Sequence, residues 1–276
     1  MNSSTQLKAL IRNMSKEKNI NAQILLRNYM LERLLERISV SKYRDKFILK
    51  GGMLVAAMVG IDTRSTMDMD ATIKGQAVNK DNIENILNEI VALDIGDNVK
   101  MSLKGIEEIR DEAEYPGLRA SIQTEFDGIT NMLKLDMTTG DMIVPKEITY
   151  EFKLMFEDRI LKVKAYNIET VLAEKIETII TRSTANTRMR DYYDVYIIMT
   201  MYKDLVNDDL LNDAIIKVSE NRDTTHVLKD KTTILKEIAN SVQMQHRWER
   251  YQSKYSYAKE IQWNDIIVVL KEYIGG

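Results

Sequence analysis

The apolar residues of this 276-residue chain change their period twice, and that change limits the folds open to it. From about residue 99 to 165 they alternate with polar ones in five segments, "VKMSLKGIEEI", "GLRASIQTEF", "NMLKLDMTT", "EITYEFKLMF" and "RILKVKAYN". Alternation gives each strand one apolar face, and the Gly, Pro, Asn and Asp between the segments suit turns. On either side the spacing is helical. Residues 20–38 place Ile24, Leu31, Leu34, Leu35 and Ile38 on one stripe with charges between them, and after "NIET" at 167–170 the chain reads mostly as helices, with a loop near "RSTANTR". Only two prolines interrupt the chain. The expected fold is α/β (α+β): a mixed sheet with flanking helices over residues 1–165, then a helical C-terminal domain over 166–276.

The stretch "KGGMLVAAMVGIDTRSTMDMDATI", residues 50–73, carries the first chemical signal. "KFILKGG" predicts a short strand running into a glycine turn, "MLVAAMVG" a buried helix, "MDMDATI" a second strand, and residues 80–93 another helix. In a strand, Asp68 and Asp70 point the same way while Met69 faces the opposite side. Neighbouring carboxylates repel unless a cation neutralises them, so a divalent metal is a natural occupant. A bare Asp-x-Asp also fits two solvent-facing acids on an edge strand. The context adds weight to the first reading. Gly51 and Gly52 open a helix, where backbone N–H groups and the positive helix end can approach phosphate oxygens without a Cβ in the way. In "MLKLDMTTGD", Leu133, Leu135 and Met137 alternate with Lys134, Asp136 and Thr138, which places Asp136 on the polar face of another strand. Three strand-borne acids and a phosphate-binding turn fit a two-metal phosphoryl-transfer site with Asp136 as candidate base.

Composition narrows the chemistry. The chain has no Cys and only His226 and His246, which removes thiolate and imidazole zinc sites and the histidine of common triads. Metal chemistry then falls to carboxylates, which favour Mg2+ or Mn2+. No apolar run reaches bilayer length and the N-terminus lacks a secretory pattern, so the expected location is the cytoplasm, with no membrane partner. A net charge of -3 argues against a generally basic nucleic-acid coat. Residues 159–190 nevertheless hold seven Lys and Arg against three Glu, a local surplus of four that fits either an RNA-facing surface or a solvated basic face.

The helical half adds a lysine and two acids. In "NIETVLAEKIETII", Val171, Leu172, Ile176, Ile179 and Ile180 form the apolar stripe, and Lys175 leans towards it. Burying an ammonium calls for an acid partner or an anionic ligand; a snorkelling side chain is the alternative. In "RMRDYYDVYIIM", Asp191 and Asp194 share a helical face, with Asp191 in the first turn, placed either to cap the helix or to orient Lys175 towards a triphosphate. The tail "QHRWERYQSKYSYAK" interleaves Trp248, Tyr251, Tyr255 and Tyr257 with basic residues. It reads as an aromatic packing face or as a stacking surface for single-stranded RNA.

"LKGGMLVAAMVGIDTRSTMDMDATI", "EYPGLRASIQTEFDG", "KLDMTTGD" and "ETVLAEKIETIITRSTANTRMRDYYDVY" together resemble the AbiEii/AbiGii-type nucleotidyltransferase toxins of bacterial abortive-infection and toxin–antitoxin systems, within the DNA polymerase β-like superfamily. The resemblance implies a nucleotidyltransferase-type mixed sheet followed by a helical bundle, with the active site in the groove between them. It also implies that Gly51 and Gly52 hold phosphates, that Asp68 and Asp70 hold the metal, and that Lys175 and Asp191 complete the nucleotide site. Thr66 and Arg190, in the same matching stretches, join the nucleotide-binding candidates. Met53 stands where the superfamily often has Ser. The function implied is transfer of a nucleoside monophosphate from a nucleoside triphosphate onto an acceptor, with RNA and notably the tRNA 3′ end as the concrete case, in phage defence and with a cognate antitoxin as possible partner. Small-molecule nucleotidylation and a non-catalytic nucleotide- or RNA-binding regulatory module are the alternatives.

Overall fold

The structure, a computed structural model, describes residues 1, 3–76, 79–109 and 117–274; Glu114 to Pro116, the start of one segment carrying the resemblance, lie outside them. The chain divides into two compact units: Met1–Gly140 with Glu147–Ala165, and Asp141–Lys146 with Tyr166–Gly276.

The first unit runs α1 (Ser4–Lys18), α2 (Ala22–Val40), β1 (Phe47–Lys50), α3 (Gly51–Val59), β2 (Met69–Ile73), α4 (Lys80–Val91), β3 (Lys100–Ile109), β4 (Gly117–Phe126), β5 (Ile129–Thr138), β6 (Ile148–Lys153) and β7 (Ile160–Ala165). Its strands form one mixed sheet in the order β3-β4-β5-β2-β1-β7-β6. β1 runs parallel to β7 and β2 to β5, and the other neighbours are antiparallel. The two-residue period is met in the burial: Leu133, Leu135 and Met137 of β5 are buried, as are their partners Ile122, Ala120 and Leu118 on β4. Along the same face Met137 pairs with Ala71, and Ala71 with Leu49, so an apolar row crosses four strands. Leu35 and Ile38 of α2 share a small cavity with Leu49, Met69 and Ala71, which places α2 on that face.

The structure departs from the simple amphipathic reading of α2. Every residue from Asn28 to Ile38 is buried, including Glu32, Arg33, Glu36 and Arg37. The charged side of the helix is covered by the β6–β7 turn and the segment before β3, and each charge finds a partner there. Arg33 lies 2.8 Å from Glu157 and 3.1 Å from Glu36. Arg37 forks onto Asp97 at 2.7 and 2.9 Å and donates to the Val99 carbonyl. The Glu32 carboxyl accepts the Met155 amide at 3.0 Å. Burial pushes the Glu32 carboxyl up to about 8, against the lowering effects of that amide and of Arg33.

The second unit is helical: α5 (Ile168–Arg182), α6 (Met189–Tyr202), α7 (Asp208–Asn221), α8 (Thr225–Leu228), α9 (Lys231–Asn240), α10 (Val242–Lys254) and α11 (Trp263–Ile274). Asn167 caps α5 by accepting the Thr170 amide, and its own amide group donates to the Val144 carbonyl. The Val144 amide donates to the Thr170 hydroxyl at 3.0 Å. One cap therefore also fastens the Asp141–Lys146 strap to α5. The expected loop near "RSTANTR" is a short 3-10 turn, Ser183–Ala185, followed by irregular chain. In the tail Trp248 is buried, stacks on Tyr251 at 5.2 Å and donates to the Ile261 carbonyl, while Tyr193 meets Tyr257 at 4.8 Å. Trp248 and Tyr251 are packing residues, not an exposed platform for bases.

Two outcomes follow for stability. Arg37→Leu strands the Asp97 charge in the core and should cost about 3–5 kcal/mol in urea unfolding, with Arg37→Leu/Asp97→Leu less damaged than Arg37→Leu alone. From the ordinary 4.5 up to about 8, the unfolded chain ionises Glu32 while the folded chain keeps its proton, so rising pH removes stability over that window. Glu32→Gln should flatten this slope; an unchanged slope between pH 5 and 8 would place the proton elsewhere.

Candidate active site

Opposite the apolar row, one residue further along each strand, runs a row of charges fixed by strand register. Lys50 pairs with Asp70, Asp70 with Asp136, Asp136 with Arg119, and Arg119 with Glu107, across β1, β2, β5, β4 and β3. Paired residues share a face, so two carboxylates stand side by side between two cations. Asp68 lies just before β2, whose first residue is Met69, and it adds a third negative charge near Asp70. Loss of solvent, and then the neighbouring Asp136 and Asp68, push the Asp70 carboxyl up; Lys50 and the Gly52 amide oppose the rise.

The glycine pair is built around this acid. Gly51 has φ +63, and a Cβ there would lie 2.2 Å from the Asp70 Oδ2 atom. Both the left-handed conformation and the close approach require glycine. The Gly52 amide, at the start of α3, donates to Asp70 Oδ2 at 3.2 Å. The helix N-terminus expected to seat a phosphate thus holds a carboxylate of the chain itself, an anion the same dipole favours. A Cβ on Gly52 would lie 2.9 Å from both Arg64 Nη2 and Thr66 Oγ1, so this glycine admits the buried Arg64 and Thr66 side chains. Thr66 donates its hydroxyl to the Asp68 carbonyl at 3.1 Å, and Asn28 of α2 donates to the Thr66 carbonyl at 2.8 Å. These bonds fix the segment that presents Asp68. Met53, in the position where Ser is common, is buried in the core.

Asp136 was expected as a third metal ligand and base. Instead Arg119 forks onto it, Nε to Oδ1 and Nη2 to Oδ2, both at 2.7 Å. Among the described residues no group of three or more His, Cys, Asp or Glu is arranged to hold a metal ion. Asp68 and Asp70 by themselves offer hard oxygen donors and an excess of negative charge, which suits a divalent cation such as Mg2+ or Mn2+, while each oxygen of Asp136 accepts a bond from Arg119. Arg119 was missed in the sequence. Its strand position was legible, but its pairing with Asp136 depends on the β4–β5 register.

In the second unit, Lys175 is largely buried and its ammonium lies 3.1 Å from Asp191 Oδ1 and 2.7 Å from Asp194 Oδ2. The acid pairing, not the snorkelling geometry, is what the structure contains. Arg190 donates to the Tyr255 hydroxyl at 3.1 Å, and although burial raises the Tyr255 phenol, Arg190 and Lys254 draw it below its ordinary value. The basic stretch 159–190 is partly spent on such pairs, since Arg159 binds Glu36 and Glu157 as Lys175 binds its aspartates.

The family model for the AbiEii nucleotidyl transferase toxin of type IV toxin–antitoxin systems matches residues 33–267. The chain belongs to this family. AbiEii membership makes it a nucleotidyltransferase toxin with a nucleoside triphosphate as substrate. A crystal structure from H. pylori, described as a candidate nucleotidyltransferase, is similar with a TM-score of 0.52 and 14% identity, covering 93% of this chain and 96% of that one. JHP933 from Helicobacter pylori is similar with the same TM-score and identity, covering 93% of this chain and 94% of that one. At that identity the likeness speaks for the fold, a mixed seven-strand sheet with helices among the described residues. No curated protein matches the chain.

Gly51→Ala tests the close approach. It should cost about 1–3 kcal/mol for the left-handed backbone alone, and displacing Asp70 should remove nucleotide transfer even at temperatures where circular dichroism shows the variant folded. Retained activity in a folded Gly51→Ala protein would mean that Asp70 need not sit against the turn.

Proposed function

We propose that this AbiEii chain transfers a nucleoside monophosphate from a nucleoside triphosphate to an RNA acceptor, the tRNA 3′ end being the concrete case, with Asp68 and Asp70 holding a divalent cation. The observation that carries the reading is Asp70 set against the N-terminus of α3 and paired with Lys50, its carboxyl raised by burial and by the nearby Asp136 and Asp68. When bound there, a divalent cation would neutralise the triphosphate and favour ionisation of the attacking hydroxyl.

The residues of the chain have separate parts. Asp70 is held by the Gly52 amide and faces Lys50, so its orientation is set before any ligand arrives. Thr66 and Arg64, packed on Gly52, hold the segment that carries Asp68. Gly51 and Gly52 are proposed to serve the phosphates through the glycine turn and first-turn amides of α3 other than the Gly52 amide that holds Asp70, and Lys175, with Asp191 and Arg190, to serve the nucleotide. Asp194 supports Lys175 from a fully buried position, holding the side-chain nitrogen in place. RNA as acceptor is supported by the exposed Lys162 and Arg188 of the basic stretch; Arg159, also exposed, is paired with Glu36 and Glu157. A cognate antitoxin and a role in phage defence complete the proposal. Among the described residues no helix is long and apolar enough to cross a membrane.

The test is incubation of the protein with Mg2+ or Mn2+, total bacterial tRNA and each α-labelled nucleoside triphosphate in turn, beside Asp68→Asn and Asp70→Asn. Label should enter tRNA with the native chain and fall in both variants by more than the roughly 100-fold that loss of an outer-shell metal partner costs. Label appearing only on a small molecule would replace the RNA acceptor, and full turnover in either variant would remove the acid pair from the chemistry.

A further inference from the structure

We infer that Arg119 is a positioning residue that takes the place of a second cation: it holds Asp136 out of the ligand set, leaving Asp68 and Asp70 to hold a single divalent ion. The inference rests on the reading of Asp68 and Asp70 given above and extends it to a residue outside the expected site.

Three observations carry it. Both oxygens of Asp136 are bound by Arg119 at 2.7 Å, a planar two-bond fork that engages each oxygen once and fixes the direction of the carboxylate. Arg119 stands between Asp136 on β5 and its other register partner, Glu107 on β3, whose charge also favours the guanidinium at this place. Release of Asp136 would therefore need a shift in a central strand pair or a rotamer change that leaves the acid facing Asp70 uncompensated. Finally, Asp70 and Asp136 are register partners on parallel strands, so without a cation at this point two adjacent carboxylates would repel. Arg119 provides that cation permanently, since a guanidinium does not lose its proton in proteins.

The arrangement assigns unlike roles to three acids that the sequence treats alike. Asp68 and Asp70 contact the ion. Asp136 acts through Arg119, setting the electrostatic wall beside Asp70.

Manganese electron paramagnetic resonance on the full chain, saturated with a nucleoside triphosphate analogue that carries a non-hydrolysable α–β bridge, reads this directly. The native complex should bind one Mn2+ with no Mn–Mn coupling, and Asp136→Asn should leave both the count and the affinity within about twofold. Arg119→Gln should admit a second, spin-coupled Mn2+, and Arg119→Gln/Asp136→Asn should return the count to one. A coupled pair in the native complex, or an Asp136→Asn loss of binding equal to that of Asp68→Asn, overturns the inference while leaving Asp68 and Asp70 as ligands. A single ion in a folded Arg119→Gln variant overturns the holding role. Native binding no greater than that of Asp68→Asn overturns the inference together with the acid-pair reading beneath it.

Discussion

The register that sets Asp70 opposite Lys50 on one side and Asp136 on the other is the constraint from which the remaining features of the site follow. A strand pairing shifted by one residue would exchange the charged row with the apolar row beside it, because side chains alternate between faces. Burial of Leu49, Ala71, Met137 and Leu118 on the core face forbids that exchange. Hydrophobic packing on one side of the sheet thus fixes the electrostatics on the other. Once the two acids are forced together, compensation is required, and the chain supplies it with Lys50, the Gly52 amide and Arg119.

A second set of charges is used for a different purpose. Arg33, Glu36 and Arg37, with the protonated Glu32 beside them, lie inside the first unit and join α2 to the β6–β7 turn and to the segment before β3. Such pairs add little net stability over an apolar core, but each is costly to break from one side, so they favour one seating of α2 over alternatives. That seating matters for the site because Asn28, on the same helix, holds the Thr66 carbonyl just ahead of Asp68.

Family membership and geometry answer separate questions. The AbiEii match over residues 33–267 gives the reaction class, and the similar solved structures, at 14% identity, give the fold. Neither says which side chains do the work. The acids, their neighbours and the glycine turn come from this chain's own register and packing, which set an arginine beside the aspartates.

The sequence by itself determined the elements and their order. The strand "FILK" before the glycine pair, the five alternating segments after residue 99 and the helical stripe around Lys175 all appear as read, because local period and turn residues decide them. It also determined that Asp68, Asp70 and Asp136 are borne at or beside strands with polar outlooks, since that too depends only on alternation. Only the tertiary structure decided what those residues meet. Parallel pairing of β2 with β5 brings together two aspartates 66 positions apart, antiparallel pairing of β4 with β5 delivers Arg119 to the second of them, and chain folding covers the charged side of α2. Long-range register is set by the packing of the whole apolar face, and no local stretch of sequence contains it.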